Sequence, residues 1–197
     1  MATTTDLRRR SRWLLYATIG WNSIEAVVAV GAGFASGSVA LVGFGFDSLI
    51  EVFAASVVLW QMNGLHETRE RRALRLIGAS FFILAAYIGA EAVRTLVAAE
   101  HARESTVGIA LAAISLIVMP TLAIAKRRIG KRLGSSTLTA EATQTMLCVY
   151  LSAVVLVGLL LQSFLGWWWA DPVAGMVIAV LALREGRDAW KGKACCE

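Results

Sequence analysis

Long apolar runs alternate with short charged stretches along this chain. The apolar runs cover 13–33, 38–62, 76–98, 106–125, 137–162 and 167–183. A hydrocarbon core of about 30 Å takes about 20 helical residues at about 1.5 Å each, which is the length of these runs. They are continuous, without the every-second-residue alternation of lipid-facing barrel strands. In lipid, a helix satisfies its backbone donors and acceptors within its own segment. The pattern therefore predicts an all-α membrane protein: a six-transmembrane-helix bundle. A basic tail over 1–12 precedes a membrane domain over 13–186, and a short tail covers 187–197. The linkers are short turns such as Gly134-Ser135-Ser136, too short for an inserted soluble domain.

Composition agrees with this reading. The 197 residues are 57% hydrophobic and 17% charged, against about 25% charged in a typical soluble domain. Charge also sets orientation. Of the 19 Lys and Arg, all but Arg94 and Arg103 fall before the first run, between the second and third, between the fourth and fifth, or after the sixth. The positive-inside rule then places both termini in the cytoplasm. The net charge of +5 follows from topology and gives no reason to invoke nucleic acid. Arg8 to Arg12 followed by an apolar run imitates a signal peptide, but the run is too long and contains Glu25. Trp167, Trp168 and Trp169 read as an interfacial aromatic belt. Asp171-Pro172 reads as an N-cap followed by a first-turn proline.

Ionisable groups inside a span are costly and mark function by default. Glu25, Asp47, Glu51, Glu91 and Glu141 all fall within the apolar runs. Asp47 and Glu51, four residues apart, lie one turn apart on one helix face near mid-depth. Two carboxylates so close repel unless a proton or cation lies between them, and hard oxygens on adjacent turns suit a divalent metal. In the fifth run Glu141, Gln144 and Cys148 share one stripe, with Cys148 at the depth of the acids. Asn22 and Glu25 share a face of the first run and either join helices or line a path. Glu91 and Arg94 are spaced to neutralise each other. Ser48, Thr143, Thr145 and Ser152 read as hydroxyl links between or within helices. His66 and His101 fall in loops without metal-site spacing, and Cys195-Cys196, just before Glu197, reads as an incidental tail, a lipidated one or a capture point for a soft metal.

Ser36-Gly37-Ser38-Val39-Ala40-Leu41, then Asp47-Ser48 and Glu51, resembles the small-residue entry and Asp-x-x-x-Asp site of the cation diffusion facilitator family. Ala140-Glu141-Ala142-Thr143-Gln144 through Cys148 to Ser152 resembles that family's Ala-Asp-x-x-His-x-x-x-Asp stretch. Asp171-Pro172-Val173-Ala174-Gly175 and Arg184-Glu185-Gly186 resemble the ends of its sixth helix. The resemblance implies a homodimeric exporter that exchanges Zn2+ or a related cation for protons. It implies a tetrahedral site made of Asp47, Glu51, Gln144 and Cys148. Two departures stand out. Gln144 and Cys148 replace a His and an Asp, removing the usual proton carrier and shifting preference toward softer ions. The family's cytoplasmic domain after the sixth helix is missing from the pattern, so dimer contacts are expected from membrane helices, with Ala85/Gly89 and Ala86/Ala90 as small-residue faces.

The expected function is efflux of a divalent cation, Zn2+ first, by proton-coupled alternating access at a midplane site. Glu25, Asn22 and Glu141 are pathway candidates. No permanently bound cofactor is expected. The partners are lipid, metal, protons and a second copy, and the location is a bacterial plasma membrane. Two other readings share these residues: a metal-binding or metal-sensing subunit that moves nothing, and a proton-coupled transporter of small organic cations. Enzymatic chemistry is not expected, since no nucleophile–base set or phosphate-cradling loop is present.

Overall fold

The computed structural model describes residues 4–61, 67–100 and 102–191. His66, His101, Cys195 and Cys196 lie outside them. Six helices follow one another: α1 (Thr4–Ser36), α2 (Val39–Gln61), α3 (Glu67–Ala98), α4 (Thr106–Leu133), α5 (Ser136–Leu165) and α6 (Ala170–Trp190). No strand occurs among the described residues. Five of these helices are long and apolar enough to cross a membrane. The exception is α6, whose apolar stretch is bounded by Asp171 and by Arg184, Glu185, Arg187 and Asp188.

The helices overrun the apolar runs. α1 begins at Thr4 and α4 continues to Leu133, so basic clusters expected in linkers ride on helical ends. Lys and Arg are good helix formers, and nothing in those clusters breaks a helix until Gly134. That glycine adopts φ 61° and caps α4, and Ser135 then accepts from Leu138 N at 3.3 Å to start α5. The three tryptophans form the turn before α6, with Trp167 and Trp169 stacked at 5.0 Å.

Consecutive helices α1/α2 and α4/α5 pack as hairpins, α3 pairs with α6, and α2 is central, touching α1, α3, α5 and α6. α1 and α2 approach closely because Gly33 faces Val42: a Cβ there would lie 2.8 Å from the Val42 backbone nitrogen. Gly89 faces Ala179 of α6, and Ala85 packs against the core shared by α2, α3 and α6. The Ala85/Gly89 face expected to meet a second copy is therefore used inside the chain. Ala86 and Ala90 remain exposed.

The distribution of polarity is inverted relative to a soluble protein. Ile24, Val27, Ile83, Val97, Ile117 and Phe164 point outward, whereas Asn22, Glu25, Asp47, Glu51, Lys126 and Thr145 are buried. Water would penalise that exterior heavily, and lipid would not. The molecule is an integral membrane bundle with an ionisable interior.

Candidate functional site

The interior charge gathers where α2 meets α5 and α4. Asp47 and Glu51 project from one face of α2, as their spacing requires. α5 presents Cys148 to both. Its Sγ lies 3.0 Å from Asp47 Oδ2 and in closer contact with Glu51 Oε2. All three side chains are at most 5% exposed. A thiol carries one hydrogen, yet this sulfur meets two carboxyl oxygens. A second proton or a cation is needed to hold the three together.

Beside them is a cavity of about 20 Å³, lined by Asp47, Cys148, Gln144 and Glu185 against Phe81 and Leu151. Such a volume takes one water-sized sphere. Gln144 thus shares the cavity with Asp47 and Cys148. Glu185, from α6, was not marked as a site residue by its sequence position. The only signal was an acid just past an apolar run.

Among the described residues, no group of three His, Cys, Asp or Glu is placed to hold a metal ion. Tetrahedral Zn–S and Zn–O bonds of about 2.3 and 2.1 Å set sulfur and oxygen about 3.6 Å apart, whereas Cys148 and Asp47 stand at 3.0 Å. Accepting an ion requires the donors to part by about half an ångström, a side-chain adjustment.

Lys126 requires a correction. The charge pattern groups it with the cytoplasmic basic residues, but it is 0% exposed inside the bundle. Its Nζ donates to Glu141 Oε1 at 2.6 Å and to Thr145 Oγ1 at 2.6 Å, and stands 4.0 Å from Glu51 Oε1. Thr145 in turn donates to Glu51 Oε1 at 2.6 Å. Glu141 is therefore an ion-pair partner of Lys126, separated from Cys148 by Lys126 and Glu51, and Thr145 is a bridge between α5, α4 and α2. The helical phase carried the signal: buried positions of α4 include Met119, Ala123, Lys126 and Gly130, one continuous stripe. Ser152 and Thr143 bond only within α5, to Cys148 O and Thr139 O.

A second polar group lies between α1, α2 and α4. Glu25 Oε2 accepts from Ser48 Oγ at 3.0 Å, one residue along α2 from Asp47, and Asn22 Nδ2 donates to Thr18 O at 2.9 Å. Ser115 of α4 and Trp21 also lie within hydrogen-bonding reach of the Glu25 carboxyl. Glu91 pairs with Arg94 as its spacing suggested, with Arg94 Nε 2.9 Å from Glu91 Oε1 and Glu100 also in reach.

Asp171 also departs from expectation. Its side chain does not cap α6, whose N-cap Trp169 makes no side-chain bond. It reaches across to the start of α2 and accepts from Ser38 Oγ and, at 2.8 Å, from Val39 N. The free N–H groups of a helix start attract a carboxylate, and those of α2 are the ones in reach.

An apolar exterior around paired carboxylates, a thiol and an amide defines an integral membrane protein with an internal polar site. Comparison with known proteins gives the family. Residues 75–191 match the cation efflux transmembrane domain, more than half of the chain, and the chain belongs to the cation efflux (cation diffusion facilitator) family. It is 29% identical to an uncharacterized transporter of Synechocystis sp., over 82% of this chain and 59% of the relative. An uncharacterized transporter of Methanocaldococcus jannaschii is 25% identical, over 92% and 68%. The cation-efflux pump FieF of Shewanella oneidensis is 26% identical, over 57% and 36%. The chain thus spans less than two thirds of the Synechocystis relative.

Proposed function

We propose that this chain exports a divalent cation, Zn2+ first among candidates, through a site made of Asp47, Glu51 and Cys148 with Gln144 assisting. The contact of the Cys148 thiol with both carboxylates, inside a cation efflux fold, carries this reading. Two acids and a thiol offer up to three negative charges once deprotonated, and their mixed oxygen and sulfur donors suit a borderline ion.

The mechanism follows from charge. A dehydrated divalent ion offsets the repulsion between Asp47 and Glu51 that burial would otherwise make expensive. Binding releases protons from the ligands, and reprotonation from the other side weakens coordination. Because Asp47 and Glu51 belong to α2 and Cys148 to α5, movement between these helices opens or closes the cage. The basic ends of α1 and α4 favour cytoplasmic termini and outward export. In this reading the protein acts as a homodimer in a bacterial plasma membrane.

The test is flux in liposomes containing purified protein. Zn2+ should move along an imposed proton gradient, and an Asp47→Ala, Glu51→Ala double variant should lose that movement. Unchanged flux in the variant refutes the site. Saturable binding without flux indicates a sensing subunit instead. Competition by organic cations without metal binding indicates a different cargo.

A further inference from the structure

The cation site described above does not use Lys126, the one buried Lys or Arg among the described residues. Its ammonium stands between two carboxylates with different neighbours. Glu141, at 2.6 Å, is outside the Cys148 cluster, whereas Glu51, at 4.0 Å, is within it. Thr145 connects the two sides, accepting from Lys126 and donating to Glu51, each at 2.6 Å. The neighbouring Arg127 and Arg128 are exposed, so the burial of Lys126 is particular to its place on the helix. A charge in such surroundings is strongly coupled to every other charge nearby.

We propose that Lys126 is a tethered counter-ion that sets the affinity of the site for its cargo, with Glu141 holding the ammonium back from Glu51. The inference rests on the cation site proposed above. A protonated lysine has no lone pair and cannot be a ligand. It acts through Glu51, as a positioning residue, by competing with a bound cation for that carboxylate's charge. While Glu141 carries its charge, the ammonium stays near it and Glu51 is left for the cargo. Without that charge, Glu51 becomes the remaining anionic partner in reach, and the ammonium occupies part of the space and charge the cargo needs.

The test is isothermal titration of the full detergent-solubilised chain with Cd2+, with thermal unfolding recorded for each variant. Glu141→Gln should weaken Cd2+ binding by about tenfold, because the freed ammonium moves onto Glu51. Adding Lys126→Met to that variant should restore binding to the original strength or better. A structural role alone would lower the unfolding temperature without producing this order. Unchanged or tighter binding in Glu141→Gln, or a double variant no stronger than the single one, overturns the proposal. If the double variant does not fold, Glu141→Asp takes its place: retained affinity supports the proposal, and a loss equal to that of Gln overturns it. If the unaltered chain binds no Cd2+, the proposed function fails and this inference fails with it. Binding without the expected order overturns the inference alone.

Discussion

Replacing Cys148 by Ser tests whether sulfur sets the ion preference. The substitution keeps a small polar group at the point where α5 meets Asp47 and Glu51, but changes the donor from soft to hard and shortens its reach by about 0.4 Å. The sulfur now lies 3.0 Å from Asp47 Oδ2 and has to move outward to about 3.6 Å when an ion enters. A serine oxygen starts farther from the ion and, unlike a thiol, does not ionise under these conditions. Cd2+ loses both a soft ligand and a negative charge. A fall of about 100-fold in affinity, or about 2.8 kcal/mol, is expected. Mn2+ loses the same charge but gains an oxygen donor it prefers, so its fall should be smaller, about tenfold or less. Titration of the two ions into detergent-solubilised protein measures both shifts, and liposome flux shows whether selectivity follows. An equal fall for both ions, or no fall for Cd2+, would remove Cys148 from the ligand set.

Two further predictions concern the scaffold. Asp171→Ala should leave Ser38 Oγ and Val39 N without their acceptor and cost about 2–4 kcal/mol. It should lower the unfolding midpoint in detergent by several degrees, with Asp171→Asn falling between the two. Gly33→Val should wedge α1 from α2, since even a Cβ would lie 2.8 Å from Val42 N. A loss of about 1–3 kcal/mol, read by thermal unfolding, is expected, and an undisturbed midpoint would show that the helices part easily.

Much of this architecture was legible in the sequence because lipid enforces a simple rule: each apolar run becomes a helix. The helix ends were less legible. Hydropathy stops at the first charge, whereas the helix stops at a breaker, which is why α4 reaches Gly134 rather than ending near Ala125. The approach of Asp47 and Glu51 to Cys148 was readable from helical phase and depth, since those quantities survive packing. Lys126 was misplaced because it opens a run of basic residues that looks like a membrane-edge cluster. Only its phase relative to Met119 and Ala123 separates it from Arg127. Asp171 and Glu185 were unreadable for a different reason. What each meets, the start of α2 and the cavity beside Asp47, is brought there by tertiary packing, which leaves no trace in local spacing.

The bond from Asp171 to the first turn of α2 bears on how the bundle moves. It pins that end of α2 to α6, eight residues from Asp47, or about 12 Å along the axis. Twisting α2 in place would break this clasp, so in the proposed export cycle the start of α2 would move with α6. Among the described residues, the side-chain hydrogen bonds from α5 to Asp47 and Glu51 come from Cys148 and Thr145, so in the proposed export cycle the seam that parts would lie between α2 and α5.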